Sequence, residues 1–483
     1  MTYTESKSIF LKLSALVFIA LFCIMIFSSP VKAEETSAAE ITPDITLSNG
    51  GSVSRMTDGS YNTKTSFSAR DTIQVTSSEK MYSLYIKWDL IPDQWTLTYN
   101  GKTKTYGTNG FLHEYVQIPE GTSEMTITFA SGEAICDMHV YSQGQAPADV
   151  QTWKTPCDKA DILVFATHAD DEILFLGGVL ATYGGEQDLA VQVAYMCEFT
   201  SSAKIREHEK LDGLWESGIK HYPICGNFPD LYSTSLEAAK KQYVYDDVKS
   251  YVTSSIRRFK PLVVVTQDLN GEYGHGGHML FSHAVAESVE VSNDPSVFPD
   301  SATTYGTWDV PKTYLHLYTD NKLTMNLRLP LSRLGNRTSI EVQSDAYKKH
   351  VSQQWCWFYV SDDYEYSCAD FGLYRSNVGA DSGNDMLEHI TTYEEQERLA
   401  KEAAEKESIE SSKAAEESSI AEEQQEIKAA QKETSKKNVL KLLINIIAII
   451  IVAVVIGLQF NRTKNLYNKK YDENKDEFKK DQK

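Results

Sequence analysis

Between Ala160 and Tyr318 the chain alternates short, almost wholly apolar runs with longer amphipathic ones, a rhythm that few architectures accept. "DILVFA" leads into "EILFLGGVLATYGG", and "LAVQVAYM" into "SAKIREHEKLDGLWESGI". Later "YDDVKSYVTSSIRRF" precedes "PLVVVTQ", and "HMLFSHAVAESVEV" precedes "KTYLHLY". Runs that are apolar on both faces suit strands buried between two layers of helices, so an α/β domain with a mostly parallel sheet is predicted. In such sheets the carboxyl ends of the strands form the crevice that receives a ligand. Two polar clusters fall at such ends: "THADDE", Thr167 to Glu172, and "GEYGHGGH", Gly271 to His278.

Upstream, from about Glu35 to Gln151, the pattern changes to short alternating runs broken by Gly, Asn, Asp and Ser. "TIQVTSS", "YSLYIKWDL", "YVQIPEG" and "EMTITFASG" each read as half-buried strands, and "YNGKTK" as a hairpin turning at Asn100-Gly101. Regular strands without helical periodicity predict a small all-β sandwich or jelly roll. "MTDGSYNTKTSF" with "DMHVYS" resembles the galactose-binding-like fold. Two roles stand for such a domain: a structural spacer, or an aid in binding carbohydrate.

Both ends of the chain are patterned for a membrane. Lys7 and Lys12 flank the start of "LSALVFIALFCIMIF", and "PVKA" ends at Ala33, which predicts a signal peptide over 1–33, with an uncleaved anchor as the alternative. "LLINIIAIIIVAVVIGLQF" is long enough to cross a bilayer, so a transmembrane helix is expected over 439–460. The Lys-rich segment 461–483 is then a cytoplasmic tail, and the body lies outside, at the plasma membrane. Between 392 and 438 the chain is Glu, Lys, Ala, Ser and Gln, a charged stalk that is either helical or disordered. The formal net charge of -20 argues against a nucleic-acid partner. Six cysteines follow the signal, and Cys356 with Cys368 is the expected pair if disulfides form.

The two clusters carry the chemistry. His168 and Asp171 are three residues apart at a strand-to-helix turn, so both can reach one ion while Asp170 stands beside it. The alternative is that the acids cap the following helix, where orphan N–H groups favour carboxylates. His275 and His278 lie at the second strand end, and one of them can complete a His/Asp/His set that leaves a position open for water. Such a set suits zinc, although other divalent ions also accept it.

"ATHADDE" and "QDLNGEYGHGGH" resemble the A-H-P-D-D-E and G-x-Y-G-H-x-D-H motifs of the PIG-L/LmbE-like zinc deacetylases, and "REHEKLDGLWESGI" is similar to that family's R-x-x-E helix. The resemblance extends over the domain at 158–391. It implies a Rossmann-like fold and hydrolysis of an N-acetyl group from an amino sugar or its conjugate. It also implies His168, Asp171 and His278 as zinc ligands and Asp170 as general base. His275 and Tyr273 would face the developing oxyanion, with a protonated His275 passing a proton to the leaving amine. Arg206 would grip substrate, or else pair with Glu209 on its own helix; Glu172 would orient the loop. Two departures stand out: Ala169 replaces the usual proline and Gly277 the usual aspartate. The expected function is a membrane-anchored, extracytoplasmic deacetylase of an N-acetylated glycan or glycoconjugate. The alternatives are an amidase for a larger acyl group and a non-catalytic surface glycan-binding protein.

Overall fold

The computed structural model describes residues 36–433 and 437–480. The expected signal peptide at 1–33 lies outside the described residues. The first domain is all-β, an eight-stranded sheet whose paired strands are all antiparallel. Thr72–Trp88 and His113–Phe129 pair along their length, each joining two runs that the pattern separates into distinct strands. The polar "SSEK" between the apolar halves is a register shift from Thr76 to Met81, not a turn. The expected hairpin is present, with Asn100 at φ 48° and Gly101 at φ 70°, the left-handed pair that a tight two-residue turn requires.

The second domain is built on a seven-stranded mixed sheet. Its strands are β1 Ile162–Ala166, β2 Val191–Glu198, β3 Ile224–Pro229, β4 Val263–Thr266, β5 Lys312–His316, β6 Lys322–Thr324 and β7 Asp370–Ser376. They lie in the order β3-β2-β1-β4-β5-β7-β6; the first five are parallel, and β7 and β6 join antiparallel at one side. The period of two explains why β1 is apolar throughout. Ile162, Val164 and Ala166 enter one core, while Leu163 and Phe165 enter the other, beneath helices Tyr245–Phe259 and Gly276–Val291.

Two expectations need correction here. "EILFLGGVLATYGG" is not one helix: Asp171–Leu174 and Gly177–Val179 are short pieces that run into a wide-turn helix, Leu180–Glu186. Close packing causes the break, since a Cβ on Gly177 would stand 2.8 Å from Gln343 and one on Gly178 2.6 Å from the Cys368 carbonyl. The expected Cys356–Cys368 disulfide is not formed. Cys368 is buried with its backbone under Gly178, Cys356 sits on a partly exposed loop, and the cysteines among the described residues are free thiols.

Beyond the second domain, Tyr393–Glu433 is helical, and so is Lys437–Lys480. The latter contains Leu443–Lys464, 22 residues of mean hydropathy 2.8, long and apolar enough to cross a membrane.

The two domains are joined through buried polar groups on the helix Ile205–Glu216. Gln151 Oε1 accepts from Trp153 Nε1 at 2.9 Å and from His113 Nδ1 at 2.7 Å. His113 Nε2 is therefore left bare to accept from His208 Nδ1, 2.9 Å away, an arrangement that needs the His113 ring neutral. Tyr61 and Gln151 donate to Asp212 at 2.7 and 2.6 Å. Burial, reinforced by the neighbouring histidine and Lys87 charges, holds His113 well below its usual pKa. Burial, with the Lys87 charge, takes His208 to about 3.

Because the folded pKa values lie below the unfolded one, the unfolded chain binds the extra protons, and stability falls as pH drops from about 6.5 toward 3. His208 alone then costs about 2 kcal/mol at pH 5, and His113 acts in the same direction. Asp212 shifts upward and acts in the opposite sense, so the informative comparison is between variants. His208→Gln should show a shallower fall in melting temperature from pH 7 to pH 5 than the wild type. Parallel slopes would exclude this origin of acid lability.

Candidate metal centre and catalytic site

Every polar residue of the site stands at the carboxyl edge of the sheet or on the segment just beyond it. His168, Asp170 and Asp171 follow β1, Asp230 follows β3, Glu272, His275 and His278 follow β4, and His316 ends β5. Asp171 Oδ2 is the shared vertex. It lies 3.0 Å from His168 Nδ1 and 3.1 Å from His278 Nε2, and the two nitrogens are 3.2 Å apart. Ligands of a tetrahedral zinc stand roughly 3.3 Å from one another, so this triangle has the size of one face of such a site.

Burial disfavours charge on His168 and His278. The Asp171 carboxylate outweighs it, raising His168 well above its usual range and, together with Glu272, lifting His278 to about 9. Asp171 is itself driven well below its usual range: burial opposes ionisation, but the two imidazoles prevail. The three groups therefore define a place where positive charge is favoured.

A second grouping is also close, the ring nitrogens of His168, His275 and His278, within 4.8 Å of one another. The His/Asp/His triangle fits a cation better, because it is tighter and because His275 Nδ1 is already engaged, accepting from Gly277 N at 3.1 Å. This donor set of two imidazoles and a carboxylate fits zinc.

Asp170 adopts φ 119°, outside the range comfortable for a residue with a Cβ. Its N–H donates to Glu172 Oε2 at 2.9 Å, so Glu172 is a buried brace for the loop and not a solvated helix cap. Burial, with the Asp171 charge added and Arg206 opposing, raises Asp170 to about 7. Arg206 does not pair with Glu209. Its guanidinium stacks on Phe199, donates to the Ala169 carbonyl at 2.5 Å, and lies 3.3 Å from Asp170 and 3.6 Å from Asp230. Glu209 instead accepts from Ser352.

His275 is depressed to about 3, by burial first and then by the charges of His278 and His168. It is thus neutral, and with Nδ1 accepting, the ring proton resides on Nε2. Gly277 explains itself here. A Cβ at that position would press to 3.0 Å on the His275 ring, and the main-chain N–H fixes the imidazole that a side chain would otherwise have to orient. Tyr273 sits at φ 47° with its ring 5.6 Å from that of His275.

Three supporting residues escaped the pattern reading. Asp230 lies 3.3 Å from His168 Nε2 and orients the ring from behind. Glu272 accepts from His278 Nδ1 at 2.8 Å and from His316 Nδ1 at 2.6 Å, while His316 Nε2 donates to the Ser367 carbonyl. Burial works against the Glu272 carboxylate, yet the two imidazole hydrogen bonds bring its pKa down to about 2. Glu272→Gln should weaken zinc binding about 10- to 100-fold, measured by competition with a chromogenic chelator. Unchanged affinity would show that His278 is oriented without it.

Fold and site together define an α/β domain with a cation site at the carboxyl edge of its sheet. Residues 163–289 match the family model PIG-L: GlcNAc-PI de-N-acetylase. The family comprises metal-dependent deacetylases. Similar proteins include a 1D-myo-inositol 2-acetamido-2-deoxy-alpha-D-glucopyranoside deacetylase of Catenulispora acidiphila, 23% identical over 33% of this chain and 56% of that one. The protein of the same description from Saccharopolyspora erythraea is 38% identical over 14% of this chain and 24% of that one. Among solved structures, N,N'-diacetylchitobiose deacetylase from Pyrococcus horikoshii aligns with TM-score 0.33 and 19% identity, over 41% of this chain and 72% of that one. The chain spans 56% of the length of the first of these relatives.

Proposed function

We propose that this protein is a zinc-dependent deacetylase that removes N-acetyl groups from an amino-sugar glycan or glycoconjugate. The observation that carries the proposal is the His168–Asp171–His278 triangle, with Asp170 next to Asp171 in the chain and the His275 ring 4.8 and 4.6 Å from those of His168 and His278. When bound, zinc supplies Lewis acidity toward the acetamide carbonyl and the attacking water.

The chain's own residues do the rest. Asp170 takes a proton from water as the oxygen attacks the carbonyl carbon. His275 Nε2–H and the Tyr273 hydroxyl donate to the oxygen as negative charge develops on it. Because His275 is neutral, it is suited to donating a hydrogen bond, and Asp170 is the group that returns the proton to the leaving nitrogen. The C–N bond breaks, and acetate and a free amine depart. Arg206 keeps Asp170 aimed and favours its ionised form, a positioning role that replaces direct grip on the substrate. The Rossmann-like description of the sheet fits the 3-2-1-4-5 order of its parallel strands.

The apolar stretch Leu443–Lys464 supports a single-pass anchor at the plasma membrane, and the export signal read at 1–33 supports a catalytic domain outside it. The decisive assay uses the full-length chain in detergent, scoring acetate release and free amine from N-acetylglucosamine and its oligomers with zinc present and after chelation. Zinc-dependent release of both products in equal amounts supports the proposal. No release from any N-acetyl sugar, with zinc bound, would overturn it in favour of a glycan-binding role.

A further inference from the structure

The segment Val351–Tyr366, "VSQQWCWFYVSDDYEY", holds large aromatic side chains out in solvent beside the site. Trp355 is 79% exposed, Trp357 60% and Tyr359 50%. A chain seldom leaves three such rings uncovered within five residues unless something else covers them. They are also held in place. Ser352 bonds to Glu209 at 2.7 and 2.6 Å, Arg328 grips Asp362 at 2.9 and 2.5 Å, and Tyr359 stacks on Tyr364 at 4.6 Å.

The rings are continuous with the catalytic group. From His275 the path runs to Tyr273 at 5.6 Å, then to Phe358 at 4.4 Å and Trp357 at 4.2 Å. On the other side of His275, Tyr232, 69% exposed, lies at 5.3 Å. Aromatic faces thus extend outward from the reacting position, beyond the space that one sugar ring fills. Asp363 and Glu365 are exposed within the same segment. Carboxylates among exposed tryptophans disfavour insertion into an anionic lipid surface, and they suit a ligand rich in hydroxyl groups whose acetamides become ammonium groups on reaction.

The geometry points to a polymeric substrate: a chain of N-acetylated amino sugars that places one unit at the metal centre and stacks neighbouring units on Trp357 and Trp355. This rests on the deacetylase reading and narrows it from any N-acetyl amino sugar to an extended glycan. The rings act by holding the chain, so their removal should affect long substrates and not the chemistry at the centre.

The test compares the full-length wild type with a Trp355→Ala/Trp357→Ala double variant on N-acetylglucosamine and its dimer through hexamer. For the wild type, kcat/KM should rise with chain length. In the double variant the ratio of hexamer to monomer kcat/KM should fall about tenfold, mostly through KM. Calorimetric titration of the hexamer into Asp170→Asn, with and without the two tryptophans, reads binding independently of turnover. Hexamer binding that needs the tryptophans supports the strip even if no acetate is released, an outcome that would sink the deacetylase reading alone. Turnover with no length dependence, or with equal loss on monomer and hexamer, overturns the strip and leaves the deacetylase standing. Tryptophan-dependent binding to phosphatidylglycerol vesicles, with none to the hexamer, overturns it in favour of a membrane contact.

Discussion

Asp170→Asn is expected to slow release of acetate from an N-acetylated amino sugar about 10²- to 10⁴-fold while the protein keeps its zinc. The substitution preserves the shape of the side chain and leaves an oxygen for Arg206, which lies 3.3 Å from Oδ1 in the wild type. It removes only the capacity to take a proton from water and return it to nitrogen. Steady-state kcat with zinc content by mass spectrometry separates the possibilities. Loss of zinc along with rate would make Asp170 a ligand. A rate within a few-fold of wild type would move the base elsewhere, with Asp230, which faces both His168 and Arg206, the next carboxylate to test.

Asp171→Ala should have the larger structural effect. One oxygen of Asp171 faces two imidazole nitrogens and also accepts from His168 N at 2.8 Å. Removing it leaves His168 and His278 buried without the carboxylate that favours their charge. Breaking a buried pair by deleting one partner costs about 3–5 kcal/mol, so the metal-free variant should melt well below metal-free wild type. Zinc should no longer bind stoichiometrically, and activity should fall to the level of chelator-treated enzyme. Zinc retained at full occupancy in Asp171→Ala would point instead to the three-histidine grouping as the ligand set.

The parts of this architecture that repeat are the parts a reader of the sequence can see. Four buried runs alternating with amphipathic ones expose the parallel sheet, and two polar clusters directly after such runs expose the carboxyl-edge site. Asp230 was hidden because its strand, Ile224–Pro229, includes glycine, asparagine and proline, with no apolar run to announce a strand end. Glu272 and His316 were hidden for another reason: their role is to face each other across 44 positions, and nothing local marks such a pair. Arg206 was visible, but its direction was not. The pattern offered Glu209 one turn away, whereas burial against Phe199 turned the guanidinium inward to Asp170. In the β-domain, the alternation identified the strands but divided two of them in half, because a polar bulge within a strand and a polar turn between strands look alike.

The helix that bears Arg206 on one side carries His208 and Asp212 on another, and those two residues are completed by His113, Gln151 and Tyr61 from the preceding part of the chain. Anyone trimming this protein for expression should therefore treat Asp158 as a false starting point. A fragment begun there would open the buried His208 imidazole and the half-buried Asp212 carboxylate to solvent and loosen the helix beside the base. The shortest useful version runs from the first described strand, Glu40–Ile41, through Tyr393, because the buried Lys312 is held by Asp381, Met386 and Glu388 and the Tyr393 N–H donates to Asp161.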